Sequence, residues 1–293
     1  MCMLLIGREV HPEYKLIVAA NRDEEYRRPT AAAHWWQGAP SILAGSDLSA
    51  GGTWLGITKS GRFAALTNYW GNTEQRPDAP SRGGLVSGFL RSPVPAPEYF
   101  QQRVSRESSG GLAGGETAGL HDRPAPAQHY NGFNLIMGSV DRLWYYSNAD
   151  ESQPREIERG IHVISNDLLD APWPKARTAH AGLQELIDSG RVGPYSLLEL
   201  LNSAVDEQRQ QDPSITRSEA LEIAKASIKV EFPRFGTRSS TVLLVDRGNR
   251  VRCIERTYYP SRVNDFSFTL TRPQGFEVLA PPLGKIQQIV TAP

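Results

Sequence analysis

Residues 1–29, MCMLLIGREVHPEYKLIVAANRDEEYRRP, hold two short apolar runs, Met3 to Ile6 and Lys15 to Ala20. The polar, Pro-containing segment Gly7 to Tyr14 lies between them. That pattern predicts a β-hairpin with a long loop. Pairing its strands brings Asn21-Arg22-Asp23-Glu24, expected at the end of the second strand, close to Cys2 at the start of the first. A thiol then sits beside an arginine and two carboxylates.

Composition narrows the function classes. The 293 residues, 39% hydrophobic, suffice for a sizeable core in one large domain or two small ones. Lys plus Arg and Asp plus Glu both number 32, so the net charge is zero, which argues against an electrostatic nucleic-acid binder. Two cysteines, Cys2 and Cys253, make neither a disulfide framework nor a structural zinc site. The histidines at 11, 34, 121, 129, 162 and 180 form no metal-ligand spacing, so neither a metal nor a cofactor is expected. Arg8 and Glu9 interrupt the apolar start, leaving no signal-peptide core. No window approaches the ~20 apolar residues of a membrane span. The expectation is a cytoplasmic protein, without a membrane span, that handles a small molecule.

Outward from the first hairpin, Glu25 to Pro40 reads as a polar loop clamped by Trp35-Trp36, followed by a short strand from Ser41 to Gly45. Gly52 to Thr58 and Arg62 to Tyr69 flank Lys59-Ser60-Gly61, a second hairpin. Ser81 to Leu90 and Pro97 to Arg106 read as helices, and the glycine-rich stretch 109–127 as a flexible loop. Strands are expected at Tyr130 to Gly138, Leu143 to Tyr146 and Ile161 to Ile164. Helices follow at Lys175 to Ser189, started by Pro172 and Pro174, at Ser196 to Gln208 and near Arg217 to Ala226. Thr237 to Val245 and Val251 to Tyr258 make a third hairpin, and Phe266 to Leu270 a last strand. Hairpins in place of βαβ units imply antiparallel sheets with helices in separate layers, an α+β protein read as a single domain over 1–293.

Cys2 carries the chemistry of this reading. A small residue at position 2 favours removal of the initiator methionine, which leaves thiol and α-amine on one residue. An α-amine of pKa about 7.7–8.0 can take the proton of a thiol near 8.5, so nucleophile and base come together. A neighbouring arginine favours the thiolate, and Asp23 is placed to orient the ammonium. A strand-end asparagine completes the site as an oxyanion donor, with Asn68 and Asn134 as candidates. Tyr69-Trp70 is a candidate pocket wall.

Cys2 together with Asn21-Arg22-Asp23-Glu24 resembles the NRDE family, also called the transport and Golgi organisation protein 2 family. The resemblance extends through Gly52-Thr53-Trp54-Leu55-Gly56, Leu66-Thr67-Asn68-Tyr69, Ser81-Arg82-Gly83 and Gly132-Phe133-Asn134-Leu135. It continues through Ser165-Asn166, Pro172-Trp173-Pro174-Lys175 and Gly236-Thr237-Arg238-Ser239-Ser240-Thr241-Val242. That family is in turn similar to N-terminal nucleophile hydrolases, in particular cysteine amidases of the bile-salt hydrolase and penicillin V acylase type. The resemblance implies a four-layer αββα sandwich. It also implies Cys2 as nucleophile and Asp23 as the group that positions the amine, with Arg22, Asn134 and Arg238 as further catalytic residues. Asn21, Asn68 and Tyr69 are the expected substrate contacts. Arg22 adjoins Asp23 here, where the hydrolases separate the two by a few residues. The implied activity is cleavage or transfer of an amide or thioester acyl group. The alternative on the same fold is a non-catalytic haem- or lipid-binding protein.

Overall fold

The computed structural model describes residues 2–71, 75–104, 127–150 and 153–271. Its first strands are β1 (Cys2–Arg8), β2 (Tyr14–Glu25), β3 (Thr30–Trp36), β4 (Ala39–Asp47), β5 (Leu55–Thr58) and β6 (Arg62–Asn68). Helices α1 (Gly83–Arg91) and α2 (Ala96–Tyr99) follow, then β7 (Phe133–Ser139), β8 (Arg142–Ser147), β9 (Arg155–Glu156) and β10 (Gly160–Ile164). Next come α3 (Pro174–Asp188), α4 (Pro194–Leu201), α5 (Glu207–Gln210) and α6 (Arg217–Ala226). The described chain closes with β11 (Phe235–Asp246), β12 (Arg250–Tyr258) and β13 (Ser261–Thr269).

Two antiparallel sheets result, ordered β10-β1-β2-β11-β12-β13 and β3-β4-β5-β6-β7-β8-β9. Side-chain alternation explains how they stack. On β1 and β2, Leu4, Ile6, Leu16, Val18 and Ala20 face the opposite sheet, where they meet Leu55, Phe63, Ala65 and Ile136. Their neighbours Met3, Leu5, Ile17 and Ala19 face outward and pack under Ala179 and Leu183 of α3 and Leu197 and Leu201 of α4. The second sheet repeats the scheme, with Ala64, Leu135 and Met137 turned outward against Leu85, Val86 and Phe89 of α1. Strands buried on both faces read as unbroken apolar runs, which is how Met3 to Ile6 and Lys15 to Ala20 appear. Helix, sheet, sheet, helix is the four-layer α+β sandwich expected from the sequence.

Asn21-Arg22-Asp23-Glu24 stands at the end of the second strand as expected, within the part of β2 that is paired through to Glu25 with β11. Several boundaries differ from expectation. Trp35-Trp36 belongs to β3 and not to a loop, since pairing with β4 makes a strand of an alanine-rich segment without a clear period-two pattern. The helix expected over Ser196 to Gln208 splits into α4 and α5, and Asp206 between them takes φ 50°. The Asn21 side chain helps end α4, donating to the carbonyls of Leu201 at 2.8 Å and Ile228 at 3.0 Å. The glycine-rich stretch 109–127 lies outside the described residues except for Ala127.

Gly52 joins this frame to the site. It sits at φ +76°, and a Cβ there would fall 2.4 Å from the carbonyl carbon of Gly83 at the start of α1. Gly52→Ala is expected to lower unfolding free energy by roughly 2–4 kcal/mol, read as a drop in the urea midpoint. Gly38→Ala, where a Cβ meets nothing within 4 Å, is expected to change it by less than about 0.5 kcal/mol.

Candidate active site

The site lies where the two sheets meet at the start of β1. Cys2 pairs directly with Arg22, and β2 pairs in turn with β11. Alternation then separates the residues of the Asn21–Glu24 run. Arg22 shares the inward face with Ala20 and lays its guanidinium over the Trp54 indole, 4.2 Å from the ring centroid. Arg22 also reaches Thr30 Oγ1 at 3.4 Å and Glu24 Oε2 at 3.5 Å. Asp23 lies on the face of Ile17 and Ala19, the helix side. Its Oδ1 accepts a 2.7 Å hydrogen bond from Thr237 Oγ1.

The polar sequence Ser165-Asn166, just beyond β10, joins the sheets at this point. Ser165 Oγ donates to the Cys2 carbonyl at 3.1 Å, and Asn166 Nδ2 donates to the Asn68 carbonyl at 2.9 Å. The backbone N–H of Trp70 donates to the Asn166 carbonyl at 2.8 Å. The end of β6 is thereby held beside the start of β1.

A cleft of about 460 Å³ opens over the thiol. Cys2, Arg22, Asp23 and Asn68 line it, together with Arg28, Arg76 and Arg82 and the carboxylates of Glu24 and Asp47. Arg28 pairs with Asp47 at 2.9 Å. Arg82 Nη1 donates to the Gly132 carbonyl at 3.0 Å, and burial lowers its pKa while the thiol and Glu24 oppose that shift. The Asn68 amide finds no hydrogen-bond partner among the described residues and is presented to the cleft.

Other expected site residues stand elsewhere. Asn134 is 1% exposed and its amide is engaged on every side. Its Nδ2 donates to Thr67 Oγ1 at 3.1 Å and to the Asp167 carbonyl at 2.9 Å, and its Oδ1 accepts from the Tyr145 hydroxyl at 2.9 Å. Asn21 is held by Leu201, Ile228 and Ser240 Oγ. Arg238 occupies the irregularity in β11 pairing between Thr237 and Ser239, and donates to the carbonyls of Glu25 at 2.8 Å and Arg28 at 3.1 Å. Tyr69 packs against Gly132 and donates its backbone N–H to that residue's carbonyl at 2.9 Å. None of these four lines the cleft.

Lys175 belongs to the site although the motif Pro172-Trp173-Pro174-Lys175 gave it no role there. It is fully buried in the first turn of α3, and its charge acts on both Asp23 and Cys2. The buried face of α3 comprises Lys175, Ala176, Ala179, Leu183 and Leu186, so helical spacing places a lysine among apolar positions. That spacing was the available signal. Burial pushes Lys175 below the usual lysine range, against the opposing pull of Asp23 and the thiol. Burial likewise raises the Asp23 carboxyl and the Cys2 thiol above their ordinary values, opposed in both cases by Arg22. In all three groups burial opposes the charged form. Cys253, by contrast, is enclosed between the sheets with its thiol pushed far up by burial. Among the described residues no cluster of three His, Cys, Asp or Glu side chains is placed to hold a metal, and no helix is long and apolar enough to cross a membrane.

Comparison with known proteins agrees with this architecture. Residues 1–260 match the family model described as Transport and Golgi organisation 2. The Transport and Golgi organization 2 homolog of Mus musculus is 34% identical over 298 residues, covering 92% of this chain and 99% of its own. The Bos taurus homolog is 36% identical, covering 88% and 93%. Among solved structures, the C2A mutant of conjugated bile acid hydrolase from Clostridium perfringens superimposes with a TM-score of 0.51 at 9% identity, covering 91% of this chain and 92% of that one. The likeness to that structure is one of fold. The chain belongs to the Transport and Golgi organisation 2 family.

Proposed function

We propose that this protein is an acyl-transfer hydrolase whose nucleophile is Cys2, acting on an amide or thioester of a small molecule. The observation that carries the reading is the position of Cys2 in an arginine-lined cleft, beside Arg22, Asp23 and Asn68. Removal of Met1 places an α-amine on the same residue as the thiol. The thiol proton passes to that amine as sulfur bonds to the substrate carbonyl carbon. Asn68 Nδ2 donates to the oxyanion that forms. Collapse breaks the C–N or C–S bond, and the leaving group takes the proton back from the ammonium. Water then cleaves the acyl thioester on Cys2 and regenerates the thiol. Arg22, held flat by Trp54, places positive charge beside the thiolate.

The arginines lining the cleft suit a substrate that carries an anionic group more than a purely apolar chain. Arg76 and Arg82 line the cleft from segments outside the sheets and are the groups to meet it. Asn134 and Arg238 support the site in this reading. Asn134 joins β6 to the segment after β10, and Arg238 braces the turn between β2 and β3.

Intact-mass analysis of the purified protein is expected to show loss of Met1. Incubation with a panel of anionic amides and thioesters is expected to leave an acyl adduct on Cys2. Cys2→Ala should reduce turnover by roughly a thousandfold or more. Unchanged turnover in that variant would overturn the mechanism, and ligand binding with no turnover in either protein would favour the binding-protein alternative.

The two asparagines are expected to separate cleanly. Asn68→Ala should lower kcat by about a hundredfold with little change in stability. Asn134→Ala leaves the Tyr145 hydroxyl and the Asp167 carbonyl without their partner and should cost roughly 2–4 kcal/mol in urea unfolding. Loss of kcat in Asn134→Ala at unchanged stability would return the oxyanion role to Asn134.

A further inference from the structure

Lys175 is a buried charge at the start of α3. It is fully buried, at a place where two effects disfavour a cation. Removing an ammonium from water costs several kcal/mol unless it is matched by a partner. The first turn of a helix also presents the positive end of the backbone dipole, which opposes a cation there. The sequence nevertheless builds this turn firmly, with Trp173 extended at the N-cap and Pro174 at the first helical position. Trp173 Nε1 donates to Asp167 Oδ2 at 3.1 Å, which fixes the indole, and Lys175 Nζ lies 5.7 Å from its ring centroid.

The surroundings show what Lys175 faces. α3 lies over β1 and β10 on the outer face of the six-stranded sheet. Asp23 emerges on that same face, with Thr237 on its Oδ1. The charged groups around the thiol are Arg22 and Asp23 from β2, Arg82 from the start of α1, and Lys175 from α3. Lys225 of α6, paired with Glu222, reaches the Trp173 ring at 5.9 Å, so a second cation stands behind the indole. After loss of Met1 the α-amine of Cys2 joins this group.

We propose that Lys175 is a positioning residue for Cys2: its amino group, held under the sheet by the first turn of α3, balances the Asp23 carboxylate so that the carboxylate does not act unopposed on the neighbouring thiol. The inference rests on the reading of Cys2 as the nucleophile. A buried carboxylate next to a thiol disfavours the thiolate, and a cation near that carboxylate offsets the effect. Asp23 can then orient the α-amine without suppressing the nucleophile.

The test is the pH dependence of Cys2 alkylation by iodoacetamide in the full-length protein, followed by peptide mass so that Cys2 and the enclosed Cys253 are read separately. Lys175→Met is expected to move the inflection for Cys2 upward by about one unit, an alkylation rate about tenfold slower below it. Lys175→Arg, which keeps the charge, should retain the wild-type profile. Should Lys175→Met not fold, Lys175→Gln carries the same expectation. Profiles of the wild type and a folded charge-neutral variant that coincide would overturn the role of Lys175 and leave the Cys2 mechanism standing. A wild-type Cys2 that is not alkylated at any pH would remove the nucleophile and both readings with it.

Discussion

Successive side chains of a strand point to opposite faces of its sheet, and the site depends on that constraint acting within β2. Arg22 and Asp23 are neighbours in the chain, yet one enters the space between the sheets and the other the space beneath the helices. Cys2, directly opposite Arg22, takes the first of these two environments. A one-residue slip in the β1–β2 register would exchange them. The apolar runs prevent that slip, since Leu4, Ile6, Leu16 and Val18 fill one layer while Met3, Leu5 and Ile17 fill the other. Burial on both faces therefore holds the register, and the register places the charges.

Stacking two sheets leaves their ends free to separate, and polar contacts close them at the site. Ser165 and Asn166 reach the Cys2 and Asn68 carbonyls, one on each sheet. Asn134 adds a second tie, joining Thr67 of β6 to the chain after β10 through Asp167. These buried side chains have partners throughout, which is the condition under which polar groups add rigidity to a core. The rigidity serves the cleft directly, because Asn68 is carried by the strand end that Asn166 secures.

Charge is distributed unevenly around the thiol. The cleft side carries arginines, which are engaged by carbonyls, carboxylates or an aromatic face. The helix side carries Asp23 and Lys175, both buried and both driven toward neutrality. Arginines on one face and the buried Asp23 and Lys175 on the other thus surround the thiol.

Much of this was legible in the linear order of residues. The apolar runs, the Lys59-Ser60-Gly61 turn and the absence of βαβ spacing pointed to antiparallel sheets and separate helices, because those features are local and periodic. Cys2, Arg22 and Asp23 could be grouped in advance because one hairpin brings them together. β3 was hidden, since a strand that exists through its pairing with β4 has little pattern of its own. Arg82, Asn166 and Lys175 were present in the family motifs but could not be assigned to the site, and only the resemblance, not the residues themselves, favoured Asn134 over Asn68 as the oxyanion donor. Those distinctions depend on which side chains are already engaged and on which elements converge from distant parts of the chain. Local sequence sets the elements and their buried faces, whereas the partners of a buried amide or ammonium arise only when four layers close around it.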